Sequence, residues 1–225
     1  MPSEGSVQPR PRPGRAEPAS TLVERRLEDL RARTAQDATT AAEEVWSWLL
    51  ELSRRAADDR HGADRELNEL FRLGTPPMGL DGPTDGILVA TTITPLLDRV
   101  VRVITGRWMP WQGKRFNAAG SVGDNRMVNS ARFPAKLLWP LYSMTTAQDG
   151  NLAFDFDTYV EEGRQDPDRR VLVIDYSRVA GNPRLIIRSI RDELVELVPG
   201  ACLGKILFRL RSGGYTNLGY FALRV

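Results

Sequence analysis

The chain has 225 residues, 41% of them hydrophobic and 27% charged, so it carries the apolar matter for a core in one or two domains. A single Cys and a single His exclude a disulfide framework, a cysteine-rich zinc site and a multi-histidine metal centre, and no cofactor is expected. With 31 basic and 29 acidic side chains the balance is near neutral, and no run reaches the roughly 18–20 apolar residues of a membrane helix.

Residues 1–19 hold five of the 15 prolines among Arg, Ser and Gly. Such a segment cannot bury enough apolar area to offset its ordering entropy, so a disordered tail is expected. It has no apolar centre and therefore does not read as a secretory signal. Together with the lone Cys202, this gives a cytoplasmic expectation.

Three helical stretches follow. In STLVERRLEDLRAR, Ser20 reads as the N-cap, and Leu22, Val23, Leu27 and Leu30 recur at helical spacing. From about Thr39 to Asp59 the stripe is Val45, Trp46, Leu49, Leu50 and Leu52. ADRELNELFRLG turns Leu67, Leu70 and Phe71 inward and stops at Gly74. This 20–73 extension, with Trp46 or Trp48 exposed, reads as a homodimer or partner surface. His61 reads as a surface side chain between helices.

After the Pro/Gly/Asp-rich loop TPPMGLDGPTDG the runs become shorter. GILVATT (86–92) and WQGKRF (111–116) read as strands, and TPLLDRVVRVITGRW as a short helix near 95–104. AGSVGDN (119–125) reads as a hairpin loop. NLAFDFDTYV (151–160) alternates with period 2, Leu152, Phe154, Phe156 and Val160 facing one way and Ala153, Asp155, Asp157 and Tyr159 the other. RRVLVIDYS (169–177) reads as a buried strand, and LGKILFRLRS with YTNLGYFALRV as a closing hairpin. Between them, Pro183 and Pro199-Gly200 bracket a predicted helix over 183–198. Ile186, Ile187, Ile190, Leu194, Leu197 and Val198 share one arc, with Arg188, Asp192 and Glu196 opposite. The sum is an α+β fold: a helical extension, then an antiparallel, lipocalin-like barrel or strongly curled sheet over 85–225 with an inserted helix.

Charge alternates in blocks. Residues 36–98 carry 12 acidic and 5 basic groups, 99–136 carry 8 basic and 1 acidic, 137–168 carry 7 acidic and 1 basic, and 169–225 carry 10 basic and 4 acidic. Such blocks neutralise one another in a compact fold. No P-loop and no strand-linked GxGxxG occurs. Trp108, Trp111, Lys114 and Arg115 would suit base stacking, but the flanking acidic blocks interrupt a basic track, so no nucleic acid partner is expected. Lys114 and Arg115 point to opposite faces of their strand, so one of them points into a barrel. Asp155 and Asp157 read as an outer polar face paired across strands with Lys205 or Arg209. Asp175 ends the apolar run VLVID and needs a partner, for which Arg191 is the candidate.

WQGKRF with its Gly/Asn loop, VLVIDYS, IRDELVELVPGACLG and the terminal YFALRV together resemble small lipocalin-like (calycin-type) barrel proteins of actinobacteria over about 85–225. The resemblance implies a barrel with a modest cavity and a lid from the 183–198 helix, and implies no reaction. Haem-binding nitrobindins share that shape but use a histidine ligand, and residues 85–225 contain no His.

The expected function is non-catalytic binding of a small apolar or amphipathic acidic ligand inside the barrel. Trp111, Phe116, Tyr142 and Tyr176 would supply apolar contact, Lys114, Arg132 and Arg191 would hold the acidic head, and Asn125 would orient it. An acid/base enzyme of the isomerase or cyclase type, built on Asp175, Tyr176 and Arg191, is the alternative. A filled-barrel interaction module is the third reading.

Overall fold

The computed structural model describes residues 19–91, 111–127, 145–147, 150–184 and 186–225. The helix expected near 95–104, and the candidate site residues Arg132 and Tyr142, lie outside the described residues.

Three helices come first: α1 (Ala19–Thr34), α2 (Ala38–Arg55) and α3 (Arg60–Leu73). Asp37 caps α2, accepting from the Thr40 amide at 2.9 Å, and Asp59 caps α3 through the Gly62 amide at 2.8 Å. The expected stripes are buried, with Leu22 and Leu50 left exposed. His61 sits exposed in the first turn of α3 rather than in a loop.

Among the described residues ten strands follow: β1 (Gly82–Pro83), β2 (Asp85–Thr91), β3 (Trp111–Asn117), β4 (Val122–Met127), β5 (Thr145–Ala147), β6 (Gly150–Glu162), β7 (Arg170–Asp175), β8 (Ile190–Val198), β9 (Ala201–Arg209) and β10 (Tyr215–Arg224). Nine run in the order β1-β3-β4-β6-β7-β8-β9-β10-β2, all neighbours antiparallel, and β5 adds to β6. β1 and β2 are one segment bent at Thr84, bonded to β3 at one end and to β10 at the other. That bend nearly closes the sheet into a barrel. The closure passes over Gly113, whose φ is 144° and where a Cβ would stand 2.0 Å from the Thr84 carbonyl oxygen.

The predicted helix over 183–198 is not formed. Only Ile187–Ser189 makes a single 3₁₀ turn, and Ile190–Val198 is strand β8, in register with β7 and β9. Ile190, Asp192 and Leu194 face the barrel interior, while Val195 and Leu197 face the helices. A strand buried on both faces loses its period-2 signal and presents an apolar arc at helical spacing as well. Pro199-Gly200, read as a helix stop, is the two-residue turn of the β8–β9 hairpin, with Gly200 at φ 83°.

Two apolar cores result. Inside the barrel pack Phe116, Phe156, Ile174, Tyr176, Leu194, Cys202 and Phe221, among others. Outside it, the helical stripes pack on Val89, Val171, Val173, Val195, Leu203, Tyr220 and Ala222. Trp46 and Trp48, one or the other of which was expected to be exposed, are both buried in this outer core; the Trp48 indole donates to Glu66 at 2.8 Å. Arg31 of α1 fastens the layers, donating to the carbonyls of Leu197 at 2.9 Å and Leu73 at 2.7 Å.

The alternation of β6 breaks at Phe154, whose φ is 55°. Gly123 pairs with Phe156 but Asn125 with Ala153, so β6 carries one extra residue there, and Ala153 and Phe154 both bury.

Candidate functional site

Among the described residues, a polar cluster stands in an aromatic setting inside the barrel. Lys114 comes from β3, Asn125 from β4 beside it, Tyr176 from the residue after β7, and Asp192 from β8. The Lys114 side chain enters the barrel and is only 2% exposed, while Arg115 points out. Lys114 Nζ donates to Tyr176 Oη at 2.5 Å, Asp192 Oδ2 at 2.9 Å and Asn125 Oδ1 at 3.0 Å. The Tyr176 hydroxyl donates to Asp192 Oδ2 at 3.0 Å. Asn125 Oδ1 also accepts from Trp111 Nε1 at 3.1 Å, and Nδ2 donates to the Phe154 carbonyl at 3.1 Å. Three rings, of Phe156, Tyr176 and Phe221, have their centroids 5.2 Å from Nζ, and that of Trp111 lies at 5.6 Å. Phe116 stacks edge-on to Phe156.

Burial pushes the Lys114 pKa down, and Asp192 pulls it partly back. Burial, reinforced by the Asp192 charge, pushes the Tyr176 phenol well above its ordinary value, which keeps it a neutral donor. Asp192 is held on one oxygen only. Its Oδ1 is buried and has no hydrogen-bond partner among the described residues.

Lys114 was expected to hold an acidic head group. All three of its N–H bonds are taken and its charge is matched by Asp192, so an acidic head group finds no spare cation there. The open polar position is an acceptor.

Trp111, Lys114, Phe116, Asn125 and Tyr176 therefore converge inside the barrel, but Asp175 and Arg191 do not join them. Consecutive strand residues point to opposite faces, so Asp175 is outside where Tyr176 is inside. Asp175 and Arg191 are cross-strand neighbours, yet the expected pair between them is not formed. Asp175 accepts from the Ser177 hydroxyl at 2.6 Å, the Ser177 amide at 2.8 Å and Tyr159 Oη at 3.0 Å, and pairs with Arg178 at 3.3 Å. Arg191 pairs with Glu193 at 2.8 Å and Glu161 at 2.9 Å. The acid/base trio of Asp175, Tyr176 and Arg191 is thus divided by the barrel wall. Nor does Lys205 pair with Asp155 or Asp157. It lies buried beneath α3, bonded to Asp166 at 2.5 Å and Asn68 at 2.7 Å. Cys202 is an inward core residue whose thiol burial pushes far up, which makes it a poor nucleophile.

Asp192 is the residue that sequence reasoning missed, because a helix placed it on the outer face. Its signal was present: read with period 2, it falls between Ile190 and Leu194, and a carboxylate at such a position requires a buried cation. Among the described residues no three His, Cys, Asp or Glu side chains gather as metal ligands, and no helix is long and apolar enough to cross a membrane. The barrel is compatible with a lipocalin-like architecture. Comparison with family models, curated proteins and solved structures finds no match to this chain.

Proposed function

We propose that the barrel binds a small amphipathic ligand without catalysis, and that the ligand's polar head donates a hydrogen bond to Asp192 Oδ1. One observation carries this reading: a buried carboxylate oxygen that has no partner among the described residues, within an otherwise bonded polar cluster. Leaving such an acceptor unmet costs about 1–3 kcal/mol, which a donor on a ligand recovers. Hydroxyl and amide heads carry that donor. A carboxylate head carries none and meets an ion pair that is already neutral. The apolar body of the ligand would lie against Trp111, Phe116, Phe156 and Phe221, all members of or neighbours to the inner core. Preference for a donor head over an acidic one departs from the expectation drawn from the sequence.

The test is native mass spectrometry of the purified protein with organic extraction of whatever travels with it. Melting curves with medium-chain alcohols, amides and carboxylates of equal length accompany it. The expected result is a stoichiometric neutral amphiphile, or a rise in melting temperature with alcohol or amide and none with carboxylate. A bare mass together with no thermal response to any of the three series would overturn the reading and leave a filled barrel serving as a scaffold.

A further inference from the structure

A concavity lies on the outer face of the wall, where β8 leaves its 3₁₀ turn. Its volume is about 170 Å³, and Arg164, Arg188, Arg191 and Arg209 line it with Tyr215 and a single carboxylate, Asp175. Four guanidinium groups around one small hollow repel one another unless anions stand between them. Part of that charge is met from within. Asp175 is held by Arg178, Glu193 by Arg191, and Glu161 is shared by Arg191 and Arg164. Among the described residues five guanidiniums thus face three carboxylates, and the next carboxylate along, Asp157 opposite Asp175, stands outside the lining.

The two cations left over are Arg188 and Arg209. Arg188 donates Nε at 3.2 Å and Nη2 at 2.9 Å to the Ser177 carbonyl, which fixes the plane of its fork without neutralising it. Arg209 has no ion pair or hydrogen bond from its side chain among the described residues. Arg191, 5% exposed, forms the buried side of the hollow with its charge met by Glu193 and Glu161. Ser189 supplies a hydroxyl and Tyr215 an aromatic wall. A planar guanidinium matches two oxygens of a phosphate, and two unmatched cations match a dianion better than a carboxylate.

We propose that this hollow is a binding site for a small phosphate monoester, its phosphoryl oxygens held by Arg188 and Arg209 and its organic part resting on Tyr215. The site is independent of the barrel interior: the two lie on opposite sides of the same strands.

Phenyl phosphate tests it by titration calorimetry on the full chain at low ionic strength, with benzoate as the single-charge control. Expected are one-to-one binding of phenyl phosphate, weaker binding of benzoate, and a loss of about tenfold or more in R209E, with added salt weakening the wild-type interaction. Arg209 is exposed at a strand end, so R209E keeps the fold; R188Q is the second variant, expected to weaken binding in the same direction. Absence of binding, equal affinity for benzoate, or unchanged affinity in R209E would each overturn the assignment.

Discussion

Lys114 and Asp192 exchange a bond in the aromatic centre of the barrel, where neither charge has water to fall back on. Removing one partner strands the other, a loss of about 3–5 kcal/mol for a buried pair, whereas removing both with apolar groups of similar volume is close to neutral. Lys114→Met is therefore expected to lower unfolding free energy by about 3 kcal/mol, and K114M/D192L to recover most of it; urea denaturation measures both. On the outer wall the balance runs the other way. Burial raises the Asp175 carboxyl, but the Ser177 hydroxyl and amide, Tyr159 and Arg178 outweigh it and hold the pKa below its ordinary value. A depressed folded pKa gives stability that is present above the unfolded value of about 4 and is lost as pH falls through the folded value. Ser177→Ala should accordingly cost about 1 kcal/mol at pH 7, with a difference from wild type that shrinks as pH falls below the unfolded carboxyl value of about 4.

At the scale of elements, α1 to α3 were legible because each shows water on one side and protein on the other, so apolar side chains recur on one stripe. Leu49 of α2 is fully buried between helices and barrel, and Leu49→Ala is expected to cost about 3 kcal/mol in a chemical unfolding curve while keeping a single transition. The strands with one wet face were legible for the same reason. β8 was not: it is covered on both faces, as β7, β9 and β10 are, but its apolar residues also fall on one arc at helical spacing. The turn Pro199-Gly200 added to the error, since proline followed by glycine ends a helix and turns a hairpin equally well. From that one misreading followed the loss of Asp192 from the site and the assignment of Arg191 to Asp175. Strand pairing brings Arg191 opposite Asp175, but two glutamates on its own side claim its guanidinium first.

For the molecule as a whole, closure depends on a segment of ten residues, 82–91, bonding to β3 and β10 at once. Gly113 lets the bend pass over β3. Gly113→Ala would drive a methyl group into the Thr84 carbonyl at a φ that favours glycine, and is expected to destabilise by about 2 kcal/mol or more, read as a lowered melting temperature. The convergence of Lys114, Asn125 and Tyr176 was only partly legible at this scale: alternation placed Lys114 or Arg115 inward, but which side chains meet it depends on the curvature of the sheet.

The double covering of β7 to β10 also sets how the barrel opens. Amides on a wall packed from both sides exchange only when both layers part, whereas β3 and β4, with Gln112 and Arg115 exposed, open with less disruption. Hydrogen exchange should therefore be slowest in β8 and β9 and faster by orders of magnitude in β3 and β4. The half of the barrel that carries Lys114 and Asn125 is then the half that breathes, and a guest bound to the rigid Asp192 would come and go through the side that moves.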